Sequence, residues 1–221
     1  AARSISYEED RSSALAGLAP HLPPQLQGEV IREALSAARS ISAEWSRSSA
    51  LAVLAPHLPP QLQGEVIGET LSAARSISDE WSRSDVLAVL APHLPPQLQG
   101  EVIREALSAA RGISSEEERS SALAGLAPHL PPQLQGEALS AARGISSERY
   151  RSRALAGLAP HLPPDLQREA LEEWLEIASR LKRANVLEDM FPFLEALPEA
   201  VRTECCSKIA TSIIEICKWW P

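Results

Sequence analysis

The stretch Arg11–Glu29 reads Arg-Ser-Ser-Ala-Leu-Ala-Gly-Leu-Ala-Pro-His-Leu-Pro-Pro-Gln-Leu-Gln-Gly-Glu, and Arg119–Glu137 repeats it residue for residue. Copies with substitutions begin at Arg47, Arg83 and Arg151, and a more divergent copy begins at Arg183. The central proline stands at Pro20, Pro56, Pro92, Pro128 and Pro160, which gives a period of 36 residues and, at the last step, of 32. Tandem repeats of this length are typical of solenoids, in which each unit packs mainly on its neighbours.

The composition favours helices and restricts the possible partners. Alanine and leucine dominate and aromatic residues make up only 4% of the chain, which favours helices over strands. The formal net charge of −8 argues against nucleic acid, because phosphate binding needs clustered Lys and Arg. No apolar run approaches the roughly 20 residues of a membrane span. We therefore expect neither nucleic acid nor a membrane as a partner.

Cysteine occurs only at Cys205, Cys206 and Cys217. Their spacing matches neither a disulfide framework nor a metal-ligand motif. We expect them to be reduced core side chains of the last repeat. A cytoplasmic location suits them.

Each repeat reads as a hairpin of two helices, which we name helix A and helix B. In the first repeat the apolar pattern predicts helix A over about residues 7–22 and helix B over about residues 24–40. Pro20 is expected to kink or end the last turn of helix A, because proline has no backbone N–H to donate. Pro24 is well placed as the first residue of helix B.

Two finer features are expected within helix A. Its apolar stripe consists of Leu15, Leu18 and Leu22. Ser6 with Glu9, and Ser114 with Glu117, has the Ser-x-x-Glu form of a capping box, in which the two side chains bond free backbone N–H groups at the helix start.

The repeats divide one predicted α-solenoid domain, residues 1–221, into segments. Residues 1–5 match the end of a helix B and are expected to close a truncated preceding repeat, and the full repeats are placed at 6–41, 42–77, 78–113, 114–145 and 146–178. The fourth lacks the Val-Ile-Arg-Glu of positions 30–33, about one helical turn. The fifth has Glu172–Glu176 where we align the Ser-Ala-Ala-Arg of the others. Residues 179–221 are expected to form a divergent capping repeat, since one of its sides faces water.

Two polar positions recur once per repeat. One of them is a histidine that precedes Leu-Pro-Pro, and the other is the arginine of helix A. Metal ligands must converge on one ion at about 2 Å, whereas neighbouring repeats lie about 10 Å apart. We therefore expect the histidines to pack and hydrogen-bond rather than bind metal. Each of the first five helix A arginines follows a glutamate by three residues, the spacing of a helix ion pair, and we expect a structural ladder. The two sets are His21, His57, His93, His129 and His161, and Arg11, Arg47, Arg83, Arg119, Arg151 and Arg183.

No motif of an enzyme is present in the sequence. It contains no glycine-rich phosphate loop, no His-x-x-x-His pair and no nucleophile elbow. The serines are expected at cap positions and on polar faces. We therefore expect no catalytic, cofactor-binding or metal-binding residue.

Four positions of helix A vary between copies while most others repeat. At about 100° per residue they share the face opposite Leu15, and we name them the variable positions. They hold Glu9/Trp45/Trp81/Glu117/Arg149, Asp10/Ser46/Ser82/Glu118/Tyr150, Ser13/Ser49/Asp85/Ser121/Arg153 and Gly17/Val53/Val89/Gly125/Gly157.

Two interpretations of the variable positions remain open. They are solvated surface, where drift is free, or they form a partner-binding surface anchored by tryptophans, which are enriched at interaction hot spots. On the second interpretation the candidate partner-binding residues are Trp45, Trp81, Ser49, Asp85, Glu117, Arg149, Tyr150 and Arg153.

Two-helix repeats of this length resemble the tetratricopeptide (TPR) and HEAT families. A proline inside helix A is a feature that resembles HEAT repeats. The run of small residues Ala-Leu-Ala-Gly-Leu-Ala resembles tetratricopeptide repeats. More specifically, Leu-Ala-Pro-His-Leu-Pro-Pro-x-Leu followed by Glu-Ala-Leu-Ser-Ala-Ala-Arg resembles C-terminal repeats of large bacterial multidomain proteins. There the repeats follow STAND modules of the NACHT or NB-ARC type (NLR-like ATPases), or peptidase and TIR effector domains.

The resemblance implies an all-α solenoid of αα-hairpins with a right-handed superhelix, closed by a C-terminal capping helix pair. It also implies upstream domains in the same parent chain and a sensor or scaffold role without catalysis. We predict that the variable face of helix A binds a protein or peptide. The alternative is a structural spacer, or a consensus-like scaffold, that binds no ligand.

Overall fold

The computed structural model describes residues 2–180, Thr203 and residues 208–211. These residues form an all-α protein without a strand, as predicted, and the A and B helices alternate as five hairpins. The α-helices are α1 Glu8–Leu18, α2 Pro24–Arg39, α3 Glu44–Leu54, α4 Pro60–Ser76, α5 Glu80–Leu90, α6 Pro96–Gly112, α7 Glu116–Leu126, α8 Pro132–Arg143, α9 Glu148–Leu158 and α10 Pro164–Arg180. Nearly all of the predicted capping repeat lies outside the described residues, with Arg183 and the three cysteines.

The chain divides into two compact units, unit 1 at residues 1–109 and unit 2 at residues 110–221. In unit 1, α1 packs on α2 and α3 on α4, and α3 lies between the neighbouring A helices α1 and α5. The core there is a cluster of small and aliphatic side chains: Leu15, Ala16, Val30, Ile31, Ala34, Leu35, Ala38, Leu51, Leu54, Leu58 and Val66. In unit 2, α9 contacts α7, α8 and α10.

The predicted leucine stripe is incomplete in the first repeat. Leu15 is buried, but Leu18 is 46% exposed, whereas its counterparts Leu54 and Leu90 are fully buried. A complete hairpin precedes α3 and α5 and packs beside the leucine at this position. Only the short 3-10 turn at Ala2–Ser4 precedes α1, so Leu18 stays more exposed.

Each helix A ends just before its proline. α1 stops at Leu18, and Ala19–His21 continues as a single 3-10 turn, a form that every later hairpin repeats. Pro20 cannot donate to the carbonyl of Ala16, so the α-helical hydrogen bonds stop there. Helix A is therefore shorter than the predicted span of 7–22. The prediction for helix B is confirmed, since α2 begins at Pro24 and ends one residue before the predicted limit.

A glutamine in helix B closes the hairpin turn. Gln27 Nε2 donates to the carbonyl of Leu22 at 2.8 Å, and Gln63 and Gln99 make the same bond in the next two repeats. This bond satisfies a carbonyl that the 3-10 turn leaves without a helical partner. Within the described chain no residue has a positive φ, so these turns do not depend on glycine.

The N-terminal caps of helix A lie one residue beyond the predicted positions. Asp79 and Ser115 occupy the N-cap positions of α5 and α7, and each accepts a hydrogen bond from the backbone N–H three residues further on, at 2.8 and 3.4 Å. The capping boxes predicted from Ser6 and Ser114 are wrong, because each serine lies one residue before the N-cap position.

The five serines that follow the helix A arginines are core residues, which corrects the expectation that serines lie only at caps and on polar faces. Ser12, Ser48, Ser84, Ser120 and Ser152 are all at most 2% exposed. Ser12 Oγ donates to the carbonyl of Ala34 in α2 at 3.1 Å. The small side chain lets the two helices of a hairpin approach closely.

The fourth and fifth repeats differ in helix B. α8 has 12 residues whereas α6 has 17, which confirms that the missing Val-Ile-Arg-Glu shortens helix B. α10 again has 17 residues and ends at Arg180, beyond the predicted repeat boundary at 178. Our alignment of Glu172–Glu176 with Ser-Ala-Ala-Arg is therefore wrong. Counted from its first proline, α10 places the fully buried Trp174 where the other full-length B helices have alanine or threonine.

Candidate interaction face

Two tryptophans and two valines are exposed on adjacent A helices of unit 1. Trp45 and Trp81 are 40% and 37% exposed, and Val53 and Val89 are 49% and 39% exposed. In each helix the spacing of eight residues, with a polar residue midway, places them on one stripe. We name the surface formed by Trp45, Ser49 and Val53 of α3 and Trp81, Asp85 and Val89 of α5 the Trp/Val face.

A cleft of about 210 Å³ lies between α1 and α3, beside the Trp/Val face. Residues at the variable positions supply most of its lining: Glu9, Asp10, Ser13, Ser46, Ser49 and Val53, with Ser12, Ala16 and Ala50 between them. Ser46 is only 8% exposed and lines the cleft. The cleft combines carboxylates and hydroxyls with an apolar wall.

Asp85 lies between Trp81 and Val89 on the stripe of α5. Although its side chain reaches solvent, partial desolvation by the surrounding protein raises the pKa of this carboxyl above its usual range. The charged form of Asp85 is therefore less stable in the folded chain than in a solvated side chain.

Unit 2 carries charged residues at the same variable positions, and they bond to one another. The hydroxyl of Tyr150 donates to the carboxylate of Glu117 at 3.1 Å, and the guanidinium of Arg149 lies 5.7 Å from the Tyr150 ring centroid. This distance is within the range of a cation–π contact. Arg153 is exposed one turn further along α9.

The structure thus separates the eight candidate residues into two sets. Trp45, Ser49, Trp81 and Asp85 lie on α3 and α5 in unit 1, and Glu117, Arg149, Tyr150 and Arg153 lie on α7 and α9 in unit 2. The sequence pattern missed the residues of α1 that line the cleft. Glu9, Asp10 and Ser13 occupy variable positions, but no tryptophan marked them.

The last variable position holds glycine in both copies of unit 2, but only one of these glycines is required by packing. A Cβ atom built on Gly125 would meet nothing within 4 Å, whereas one built on Gly157 would lie 2.5 Å from Cβ of Ala124. Packing of α9 against α7 therefore requires Gly157. Free surface drift explains Gly125 but not Gly157.

The helix A arginines are structural, but their main partner differs from the predicted one. Each donates from Nη1 to the carbonyl of an isoleucine six residues earlier, at 2.6–3.2 Å across Arg11, Arg47, Arg83, Arg119 and Arg151. The expected pair with the glutamate three residues before is present for Arg11 and Arg119, at 3.6 and 3.4 Å. These arginines tie the start of helix A to the segment that precedes it.

Inter-repeat ion pairs connect the polar faces of the B helices. Arg39 of α2 bonds Glu65 and Glu69 of α4 at 2.8–2.9 Å, and Arg75 and Arg143 bond the corresponding glutamates of the following repeat. Among the described residues Arg111 has no such pair. The shortened α8 lacks the second glutamate of the set, which explains this break.

All five histidines are exposed, which contradicts the expected packing role. Each stands in the last position of the 3-10 turn, where the side chain is directed away from the core. Among the described residues, no three His, Cys, Asp or Glu side chains come together in a group that could hold a metal ion.

No family model matches the chain, and no curated protein matches its sequence. Within residues 2–180 and the short described segments beyond them, no helix combines the length and apolarity needed to cross a bilayer.

Proposed function

We propose that the chain is a protein-interaction module of helical repeats that binds a protein or peptide through the A helices of unit 1. The observation that supports this proposal is the distribution of large exposed apolar side chains. Among the described residues all of these side chains lie between Tyr7 and Leu98, and four of them belong to the Trp/Val face. Exposed apolar patches bordered by polar residues are typical of interaction sites, and tryptophan is enriched at their centres.

The proposed module acts as the sensor or scaffold of a larger bacterial signalling or defence protein of the STAND type. The motifs Leu-Ala-Pro-His-Leu-Pro-Pro-x-Leu and Glu-Ala-Leu-Ser-Ala-Ala-Arg support this context. In this role the chain recognises a partner and chemistry takes place in other domains of the parent protein.

Capture of partners from native bacterial lysate tests the proposed function. The full chain serves as bait beside Trp45→Ala/Trp81→Ala, with mass spectrometry as the readout. Leu26→Ala/Leu98→Ala is a matched control, because these leucines are similarly exposed, at 48% and 38%, but lie on B helices. We expect a partner that the tryptophan variant loses and the leucine control retains.

Two results would count against the proposal. Partners retained by the tryptophan variant would place recognition elsewhere on the chain. Empty captures from several lysates would favour the structural spacer.

A further inference from the structure

We propose that the Trp/Val face and the cleft between α1 and α3 bind a basic amphipathic peptide segment. Its apolar side chains cover the tryptophans and valines, and a Lys or Arg side chain enters the cleft. The inference rests on the proposed function and specifies the chemistry of the partner.

Charge on this surface has one sign. The variable positions of α1, α3 and α5 hold three carboxylates, Glu9, Asp10 and Asp85, and no cation. The only cations of these three helices are Arg11, Arg47 and Arg83, and each donates to an isoleucine carbonyl. Electrostatic complementarity therefore favours a basic partner and disfavours an acidic one.

The lining of the cleft suits a long cationic side chain. Ala16, Ala50 and Val53 offer an apolar wall for the methylene stem, and the carboxylates of Glu9 and Asp10 line the same cleft. Lys and Arg bury their stems in this way while their charged ends remain near polar groups. Ser46, which is 8% exposed, lines the same cleft, and its hydroxyl offers a further acceptor.

Asp85 gives an independent reason for a cationic partner. Its carboxylate lies between two exposed apolar side chains and is partly desolvated. A partner cation beside it would stabilise the charged form, whereas a purely apolar partner would desolvate it further. The Trp/Val face thus favours alternating apolar and basic groups.

The size of the surface sets the length of the segment. Three neighbouring A helices at about 10 Å spacing extend over about 20 Å. A helical peptide of about 14 residues has a length of about 21 Å.

Fluorescence anisotropy with the full chain and three labelled peptides of about 14 residues tests the inference. The first peptide has leucines at helical spacing and lysines beside them, the second has glutamate in place of each lysine, and the third has serine in place of each leucine. We expect the Leu/Lys peptide to bind at least about tenfold more tightly than either of the others, with weaker binding at high salt.

Substitutions at equivalent positions of the two units locate the site. Glu9→Gln/Asp10→Asn and Trp45→Ala/Trp81→Ala should each weaken Leu/Lys binding by about tenfold or more. Glu117→Gln/Glu118→Gln alters the same repeat positions in unit 2 and should leave binding unchanged. Circular dichroism checks that every variant is folded.

Several outcomes would overturn the inference, and they differ from failure of the proposed function. Equal binding of the Leu/Glu peptide would exclude a basic ligand, and equal losses in the unit 1 and unit 2 carboxylate variants would indicate nonspecific attraction. If no peptide binds while the bait captures a tryptophan-dependent partner, the peptide chemistry is wrong but the interaction function stands. If the captures are also empty, both proposals fail.

Discussion

The A helices of units 1 and 2 carry the same repeat positions but expose different surfaces. In unit 1 these positions hold Trp45, Trp81 and their valines, which remain exposed. In unit 2 Glu117 and Tyr150 bond to each other, and Arg149 lies against the tyrosine ring. The same helix A therefore carries polar side chains that bond to one another in unit 2 and apolar side chains exposed to solvent in unit 1. The surface in unit 1 is the one that we propose binds a partner.

The largest expected effect separates a buried tryptophan from an exposed one. Trp174→Ala should lower the free energy of unfolding by about 3–5 kcal/mol, because it leaves a large cavity in the core of unit 2. Trp45→Ala should cost below about 1 kcal/mol, since its side chain is already partly hydrated. Urea unfolding followed by circular dichroism measures both. A similar cost for the two substitutions would mean that Trp45 is a packing residue, not an anchor for a partner.

Valine at the last variable position should be tolerated in one copy of unit 2 and not in the other. Gly157→Val forces its side chain onto Ala124 and should destabilise the chain by about 1–3 kcal/mol. Gly125→Val enters open space and should stay within about 0.5 kcal/mol of the parent. Thermal unfolding of the two variants makes the comparison, and equal melting temperatures would show that α9 and α7 can separate without cost.

The ladder on the B helices should contribute only a little. Arg75→Gln removes an exposed pair of ion contacts and should cost about 0.5 kcal/mol at low salt. Arg111→Gln, at the break in the ladder, should cost nothing measurable. The difference should vanish near 1 M salt, where the screening length is about 3 Å. A difference that persists in salt would assign the effect of Arg75 to packing rather than charge.

Two carboxylates should titrate in opposite directions. The backbone N–H groups of Ser146 and Ser147, at 2.8 and 3.0 Å, lower the pKa of Glu116 in unit 2, whereas desolvation raises that of Asp85 in unit 1. Glu116 stabilises the fold fully above its ordinary pKa of 4.5, and this contribution is lost as the pH falls through its lower folded value.

Asp85 has the opposite sign. Its penalty is complete above its raised folded pKa and disappears as the pH falls below the ordinary value of 3.8. Carboxyl carbon chemical shifts followed by NMR across the acid range measure both groups. A depressed pKa at Asp85 would remove the argument that its carboxylate is partly desolvated and favours a cationic ligand.

The sequence predicted the fold well because each hairpin is determined locally. The apolar period defines the helices, Pro20 ends the first, and Pro24 begins the second. Contacts over longer distances were harder to predict. The glutamates that pair with Arg39 lie 26 and 30 residues away, so a rule for neighbours within one helix cannot find them.

The candidate site was predictable only in part. Variation between copies identified the exposed face of helix A, and the tryptophans directed attention to α3 and α5. The cleft against α1 depends on how two helices approach each other, which no single helix pattern contains. The errors at the histidines and at the core serines have a similar cause. The exposure of the histidines depends on where the turn ends, and that of the serines depends on how closely the two helices of a hairpin approach each other.

The ion pairs between B helices also bear on how such an array changes its length in evolution. At each junction where the ladder is present, one repeat supplies an arginine and the next supplies two glutamates, as Arg39, Glu65 and Glu69 illustrate. A duplicated repeat therefore already carries the arginine and the glutamates that pair with its new neighbours, and no second mutation is needed to match the charges. Loss of a single helical turn, by contrast, leaves a lasting mark at Arg111. Recombination between identical stretches such as Arg11–Glu29 and Arg119–Glu137 can then lengthen or shorten the array while its surface residues diverge copy by copy.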